Sequence, residues 1–211
     1  MRKLLVWVTF FMVLLSGVAF AKETAGFEEG VDYQLIKPAQ PTDDPDRIEV
    51  VEIFWYGCPH CYHFEPTLGP WVASVPKDVN FYRLPAVFNE LWEVHARAYF
   101  TADILDVLDE SHAALFHAMH AEHKTINTVE KLAVFYAQYG IDQNLFKKTY
   151  RSFVVNTKVA RAKDIVQRYG VTGVPAMVVG GKYLITGAMA KSYENMLKII
   201  NFLVEKERKS K

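Results

Sequence analysis

The only two cysteines of this 211-residue chain are three positions apart, in the run Cys58-Pro59-His60-Cys61. The segment before them, residues 48–55 (IEVVEIFW), is β-branched and apolar, and it predicts a buried strand that ends at the cysteines. Pro59 suits the first turn of a helix, where its missing N–H costs no hydrogen bond. The pair is therefore expected at a strand-to-helix junction.

The remaining pattern predicts an α/β fold of thioredoxin-like topology, in which a β-α-β unit is followed by α-β-β-α. Helices are expected over residues 59–75, 152–169 and about 190–207, and strands over residues 33–36, 79–84, 176–179 and 182–185. The two-residue turn Gly180-Gly181 joins the last two strands as a β-hairpin. Gly170 is placed to end the long helix before the hairpin.

Residues 86–159 carry no convincing strand, and their apolar residues recur at helical spacing. Three to five helices are expected there, with Asn127 and Glu130 as a capping box and Asp142 as a helix N-cap. The interval between the cysteines and the hairpin is too long for a plain thioredoxin domain. We therefore predict a thioredoxin-like domain made of residues 22–85 and 160–211, interrupted by a helical insertion domain over residues 86–159.

The N-terminal residues 1–21 have the three-part layout of a secretory signal peptide. Arg2 and Lys3 form a basic region, an apolar run follows over residues 4–15, and Ala19-Phe20-Ala21 fits a small-x-small cleavage site. The alternative is a membrane anchor, but a spanning helix needs about 20 apolar residues, which is longer than this run. The mature chain is therefore expected to be exported.

The chemistry of the pair follows from its expected position. In an exported protein isolated thiols tend to oxidise, yet a disulfide that closes so short a loop gains little chain entropy, so its value is chemical. Cys58 at a helix N-terminus would be held as a thiolate by unpaired N–H groups and the helix dipole. Cys61 is expected to be more buried and to act as the resolving thiol. His60, when protonated, would favour the thiolate further and make the disulfide oxidising.

Other interpretations of the cysteines remain. Half a zinc site would need a second Cys-x-x-Cys, and haem attachment would need a histidine where Tyr62 stands. An inert structural disulfide is a third. Glu52, on the strand that leads to the pair, is either a buried carboxyl that relays the proton of Cys61 or a glutamate that faces a polar partner or solvent. Glu65 is either a surface charge or a group that tunes the site.

The histidines His117, His120 and His123 recur every three positions on an expected helix. They are interpreted as a solvated helical face rather than as a metal site, because the outer two point about 120° apart. Aromatic side chains nearby are expected to form the core of the insertion: Trp92, Tyr99, Phe100, Phe116 and Phe135.

Two motifs together point to a known family. The run at residues 54–61 (FWYGCPHC) and the later Gly173-Val174-Pro175-Ala176 resemble the DsbA family of periplasmic thiol:disulfide interchange proteins, over residues 27–207. The resemblance implies a thioredoxin fold with a helical insertion, and a cis peptide at Val174–Pro175 that lies beside the cysteines and helps to bind extended substrate. Glu52 and Glu65 match acidic positions near that family's active site.

The function expected on these grounds is donation of the Cys58–Cys61 disulfide to newly exported polypeptides through a mixed disulfide, without cofactor or metal. The resemblance implies a periplasmic location and reoxidation by a DsbB-like membrane quinone reductase. We expect a monomer. The equal numbers of basic and acidic residues, 24 each, give no reason to expect nucleic acid as a partner. The alternatives are a disulfide isomerase or reductase, and a peptide-binding chaperone or metal-binding protein with incidental cysteines.

Overall fold

A mixed five-stranded sheet carries the strand that leads to the cysteines. The computed structural model describes residues 26–210, and its strands run over β1 (Gln34–Leu35), β2 (Ile48–Phe54), β3 (Val79–Pro85), β4 (Ala176–Val179) and β5 (Tyr183–Thr186). Their order is β1-β5-β4-β2-β3. Strand β2 pairs in parallel with β3 and antiparallel with β4, and β5 pairs antiparallel with both β4 and β1. Every residue of β2 is buried, as its apolar pattern predicts.

Helices cover the sheet and form the block between β3 and β4. Within the described residues they are α1 (Pro59–Ser74), α2 (Glu90–Ile104), α3 (Leu108–His120), α4 (Val129–Tyr136), α5 (Gln143–Tyr150), α6 (Phe153–Arg168), α7 (Gly187–Ala190) and α8 (Tyr193–Arg208). The predicted α/β class, the β-α-β and α-β-β-α units and the helical block between them are all present.

One continuous core joins the helical block to the sheet. Phe54 of β2 contacts Tyr99 of α2 and Phe116 of α3, with ring centroids 5.4 and 5.9 Å apart. A second core on the other face of the sheet packs α1 and α8 against β2, β4 and β5. The boundaries of a separate insertion domain over residues 86–159 stay a prediction. The helices of this block and the sheet contribute side chains to the same hydrophobic core.

Two predicted helix starts are wrong. The Asn127–Glu130 capping box is not formed, because Thr128 is the N-cap of α4 and its side chain accepts from the Lys131 N–H at 3.3 Å. The last helix begins at Tyr193 rather than near residue 190. Lys191 adopts a left-handed conformation (φ 64°) that ends the short α7, and Ser192 then caps α8.

Other local predictions are confirmed. Asp142 caps α5 by accepting from two backbone N–H groups, and Gly170 follows α6 with a left-handed φ of 69°. Gly180 and Gly181 both have positive φ, as a two-residue hairpin turn requires. The predicted signal peptide, residues 1–21, lies outside the described residues. None of the helices within residues 26–210 combines the length and apolar character needed to cross a membrane.

Candidate active site

The cysteine pair lies at the junction between β2 and α1. Cys58 is the N-cap of α1, with extended backbone dihedrals (φ −89°, ψ 115°), and Pro59 is the first helical residue. The Cys58 N–H donates to the Trp55 carbonyl at 2.9 Å, which closes the turn between strand and helix. Both cysteines are free thiols; Cys61 is fully buried, whereas Cys58 keeps 7% of its surface exposed. The predicted positions of both residues are therefore confirmed.

The surroundings of the two sulfurs separate their acidities. The pKa of Cys58 is lowered to about 6, first by a hydrogen bond from the Cys61 thiol and then by the backbone N–H groups of Cys61 and His60, while burial opposes the shift. The charge of His60 contributes less than these hydrogen bonds. Burial, followed by hydrogen bonding to Cys58, raises the pKa of Cys61 far above its usual value. At neutral pH the pair is a Cys58 thiolate beside a Cys61 thiol.

The loop before β4 comes close to the reactive sulfur. The Val174–Pro175 peptide is cis, as the family resemblance implies, and Cys58 Sγ is 3.5 Å from the Val174 carbonyl oxygen. A groove of about 740 Å³ extends from this point between the loop and the first turns of α1 and α8. His60 is exposed on its rim, and its carbonyl accepts a hydrogen bond from the Tyr193 hydroxyl at 2.9 Å.

Glu52 is fully buried on β2, which excludes the solvent-facing interpretation. Its Oε2 accepts from Arg83 Nε at 2.9 Å, and Arg83 Nη2 donates to both oxygens of Glu65, at 3.0 and 3.2 Å. Two carboxyl groups thus share one guanidinium. Burial raises the pKa of Glu52 to about 8; Arg83 opposes this shift, and the charge of Glu65 adds to it. Glu52 is close enough to the sulfurs that its charge would also affect Cys61.

A family model described as a DSBA-like thioredoxin domain matches residues 77–201. The thiol:disulfide interchange protein DsbA of Pseudomonas aeruginosa is 42% identical over 208 residues, which cover 99% of this chain and 98% of the relative. The chain belongs to the DsbA family. The protein of the same name from Pseudomonas syringae pv. tomato is 40% identical over 208 residues, with 99% and 97% covered. The predicted thiol:disulfide oxidoreductase function is thereby confirmed.

Solved structures of the DsbA family share the fold. The crystal structure of Pseudomonas aeruginosa DsbA has a TM-score of 0.83 at 44% identity and covers 87% of this chain and 96% of that one. DsbA from Xylella fastidiosa has a TM-score of 0.80 at 39% identity, with 84% and 95% covered. The predicted thioredoxin-like fold with an inserted helical part is therefore confirmed.

Arg83 and His112 belong to the site but were not found from the sequence. Arg83 stands in an alternating strand, and its meeting with Glu52 depends on the parallel register that places these two residues opposite each other. His112 of α3 is buried, with Nδ1 2.8 Å from the Tyr56 hydroxyl and Nε2 3.5 Å from Glu65 Oε1. Glu65 is accordingly half-buried and ion-paired, rather than a solvated helix charge.

The loop between β2 and α1 is fixed by aromatic side chains of the helical block. Trp55 stacks face to face on Trp92 of α2, with centroids 4.3 Å apart and an interplanar angle of 8°. The Trp55 ring lies so close to Gly57 that a Cβ there would be 2.2 Å from it. Only glycine therefore fits at the position before Cys58 while the indole stays in place.

The interpretation of the three histidines as one solvated face is wrong for His120. His117 and His123 are exposed, but His120 is half-buried, and its Nε2 donates to the Tyr56 carbonyl at 2.8 Å. Its ring also stacks on Tyr62, 5.1 Å between centroids. His120 thus holds the cysteine loop against α3. Of the predicted aromatic core, Tyr99, Phe100 and Phe116 are buried, and Trp92 and Phe135 are partly buried.

The raised pKa of Glu52 predicts a pH-dependent stability that Glu52→Gln should remove. Between its usual value of 4.5 and about 8, the folded protein keeps a proton that the unfolded chain has lost. Stability should therefore fall as the pH rises through this window, by up to ~1.4 kcal/mol per pH unit, and the penalty is complete above it. Urea unfolding of the oxidised protein, in which the thiols do not titrate, measures this. The free energy of unfolding of Glu52→Gln, relative to that of the original protein, should increase as the pH rises.

The matched control is Glu65→Gln. The pKa of Glu65 is lowered: burial opposes the shift, but contacts with His112 and Arg83 outweigh it. Glu65 therefore adds stability that is present above its usual pKa and is lost as the pH falls through the lowered one. As the pH rises, the stability relative to the original protein should therefore increase for Glu52→Gln and decrease for Glu65→Gln. A constant difference for Glu52→Gln between about pH 5 and 8 would exclude the buried, protonated carboxyl.

Proposed function

We propose that the protein donates its Cys58–Cys61 disulfide to newly exported polypeptides in the periplasm. A substrate thiolate attacks Cys58 Sγ and breaks the bond to Cys61, whose sulfur leaves and is protonated by Glu52. A second substrate thiolate then attacks the substrate sulfur of the mixed disulfide and releases Cys58 as a thiolate. The substrate loses two electrons, which the two cysteines accept, so no cofactor is needed.

The observation that carries this proposal is the asymmetry of the two sulfurs. Cys58 is a stabilised thiolate at a helix N-terminus, whereas Cys61 is a buried thiol. A stabilised thiolate favours the reduced form, and this makes the disulfide an oxidant. By linkage the reduced protein should be the more stable form.

Mixing the oxidised protein with a reduced, unfolded polypeptide tests the direction of exchange. Disulfides should pass to the polypeptide stoichiometrically, and the reduced protein should melt at a higher temperature than the oxidised one. A disulfide isomerase would instead act on scrambled disulfides while it is itself reduced. If the oxidised form melts clearly higher, the proposal fails and a structural disulfide replaces it.

The groove beside Cys58 supports an extended polypeptide as substrate. Val174, which contacts the Cys58 sulfur, and Pro175 both line the groove, and its lining is mainly apolar. A side chain from an unfolded segment can be buried there while the backbone passes the Val174 loop. We further propose that the protein acts as a monomer and is reoxidised by a DsbB-like membrane quinone reductase, which family membership supports.

His60 should tune the potential without setting it alone. His60→Ala removes the positive field beside Cys58 but keeps the backbone N–H at the helix start, which contributes more to the lowered pKa. The reduction potential should fall by tens of millivolts, since ~30 mV corresponds to 1.4 kcal/mol for a two-electron couple. Equilibration with glutathione buffers measures it. His63→Ala, exposed on the same helix, is the control; equal shifts in both variants would contradict a specific role of His60.

A further inference from the structure

Three polar side chains from different elements line up behind the active site. Tyr56, fully buried in the loop before α1, places its hydroxyl 2.8 Å from Nδ1 of His112. Nε2 of the same ring is 3.5 Å from Oε1 of Glu65. Burial raises the pKa of Tyr56 well above its usual value, so this group is a hydroxyl at any ordinary pH.

These contacts select one tautomer of His112. If Nδ1 carried the proton, the lone pair of Nε2 would face the carboxylate of Glu65, which is repulsive. If the Tyr56 hydroxyl donates to Nδ1, the proton lies on Nε2 and points at Glu65. Burial lowers the pKa of His112 and the charge of Arg83 adds to this shift, although Glu65 opposes it. The neutral ring with a proton on Nε2 therefore accepts from Tyr56 at Nδ1 and presents a positive N–H dipole to Glu65.

The network has one cation for two carboxyl groups. The charged or titratable groups that face His112 are Tyr56 of the loop, Glu65 of α1, Arg83 of β3, Tyr99 of α2 and Asp109 of its own helix. One fully buried and one half-buried carboxylate that share a single guanidinium cannot both ionise without a large penalty. The group with more hydrogen-bond donors ionises first. Arg83 Nη2 donates to both oxygens of Glu65, and His112 Nε2 faces Oε1 of the same carboxyl at 3.5 Å, whereas Glu52 accepts from Arg83 Nε alone. Within residues 26–210, the buried Oε1 of Glu52 and the buried Nε2 of His112 have no hydrogen-bond partner, so the approach of His112 to Glu65 is electrostatic.

We propose that His112 is a positioning residue, whose Nε2–H faces Glu65 at 3.5 Å, holds the negative charge of this network on Glu65 and leaves Glu52 protonated. Glu52 is then able to give a proton to the Cys61 sulfur when the disulfide opens and to recover it when the disulfide forms. This inference rests on the proposed function. The opposite pKa shifts of the two carboxyl groups, lowered for Glu65 and raised for Glu52, agree with it.

His112→Phe tests the inference, because it keeps an aromatic ring at this position and removes both nitrogens, the Nε2 donor that faces Glu65 and the Nδ1 partner of the Tyr56 hydroxyl. The charge should move from Glu65 to Glu52, nearer to the sulfurs. The pKa of Cys58 should rise by about one unit, as expected when a like charge appears nearby in a protein interior. Thiolate absorbance measures that pKa. The infrared carbonyl band of a protonated carboxyl, identified by its loss in Glu52→Gln, should vanish at neutral pH in His112→Phe.

Three further variants make the result specific. His112→Gln keeps an N–H donor near the position of Nε2 and should restore the original titration. His117→Phe, on the exposed face of the same helix, should change nothing. In a Glu52→Gln background His112→Phe should no longer shift the pKa of Cys58, because Glu52 is unable to accept the charge. A purely structural effect of His112→Phe would persist in that background and would overturn the inference.

Two further outcomes separate this inference from the proposed function. Glu52→Gln alone should slow thiol exchange while the pKa of Cys58 stays near its original value, because the neutral group is replaced by a neutral group. If exchange is not slowed, the proposed role of Glu52 fails. If exchange is slowed but His112→Phe leaves both the carbonyl band and the Cys58 titration unchanged, only the role of His112 fails. Should His112→Phe not fold, His112→Leu, which also lacks the Nε2 donor, must produce the same loss of the carbonyl band.

Discussion

Cys58→Ser should lose all oxidase activity, whereas Cys61→Ala should accumulate mixed disulfides with substrates. Serine at the helix N-terminus forms no disulfide, so no electrons are exchanged. In Cys61→Ala the Cys58 thiolate is still nucleophilic and attacks substrate disulfides. Cys61, whose attack on the Cys58 sulfur would free the substrate and re-form the Cys58–Cys61 disulfide, is missing, so the mixed disulfide persists. Non-reducing electrophoresis after acid quenching should show the covalent complexes in Cys61→Ala and none in Cys58→Ser.

Alkylation of the reduced protein at a series of pH values tests, without a mutation, whether Cys58 is the nucleophile and Cys61 the buried thiol. Cys58 should be modified first, with a midpoint near its lowered pKa of about 6, and Cys61 should stay protected while the protein is folded. Peptide mapping after a short pulse identifies the modified sulfur. If Cys61 reacts first at neutral pH, the two roles are reversed.

Arg83→Met should cause the second large effect, a loss of about 3 kcal/mol in the free energy of unfolding at neutral pH. The variant removes the guanidinium that Glu52 and Glu65 share, and breaking a buried ion pair from one side leaves a charge without compensation. Methionine fills most of the same volume, so packing changes little. Urea unfolding of the oxidised protein gives the difference.

The loss should depend on pH in a defined direction. Glu65 has a lowered pKa and adds stability only above its usual value, so the difference between Arg83→Met and the original protein should narrow as the pH falls below about 4. Arg83→Lys, which keeps the charge without the planar fork, should lose less. Arg161→Met removes an exposed pair with Asp43 and should have a small effect. If the two Arg→Met variants are equally stable, the buried network does not support the fold.

Local chemistry explains why much of the active site could be predicted from the sequence. Some signals determine the backbone conformation of only a few neighbouring residues. Examples are a proline in the first turn of a helix, an apolar strand before it and a glycine pair in a hairpin turn. Cys58, Pro59, Cys61 and the burial of Glu52 follow from such signals. Membership of the DsbA family was also readable, because its motifs occupy short runs.

Contacts between distant elements could not be predicted in the same way. Periodicity shows which face of a strand is buried, but it does not show the register in which one strand pairs with its neighbour. The pairing of Glu52 with Arg83 could therefore not be predicted. The contact of His112 with Glu65 joins a helix of the inserted block to α1 and depends on the angle at which the block packs. The exact first residue of a helix was also hard to predict. Thr128 caps α4 instead of Asn127, because the N-cap is decided by the backbone conformation of a single residue.

The shared core between the helical block and the sheet limits how freely these parts can be exchanged among relatives. A chimaera that takes residues 86–159 from another oxidoreductase would replace Trp92, His112 and His120 together. Trp92 stacks on the indole of Trp55, His112 faces the carboxyl of Glu65, and His120 donates to the carbonyl of Tyr56. Transplanting the block therefore changes the redox centre as well as the outer surface, and potential and specificity should be inherited as one unit rather than as separable modules.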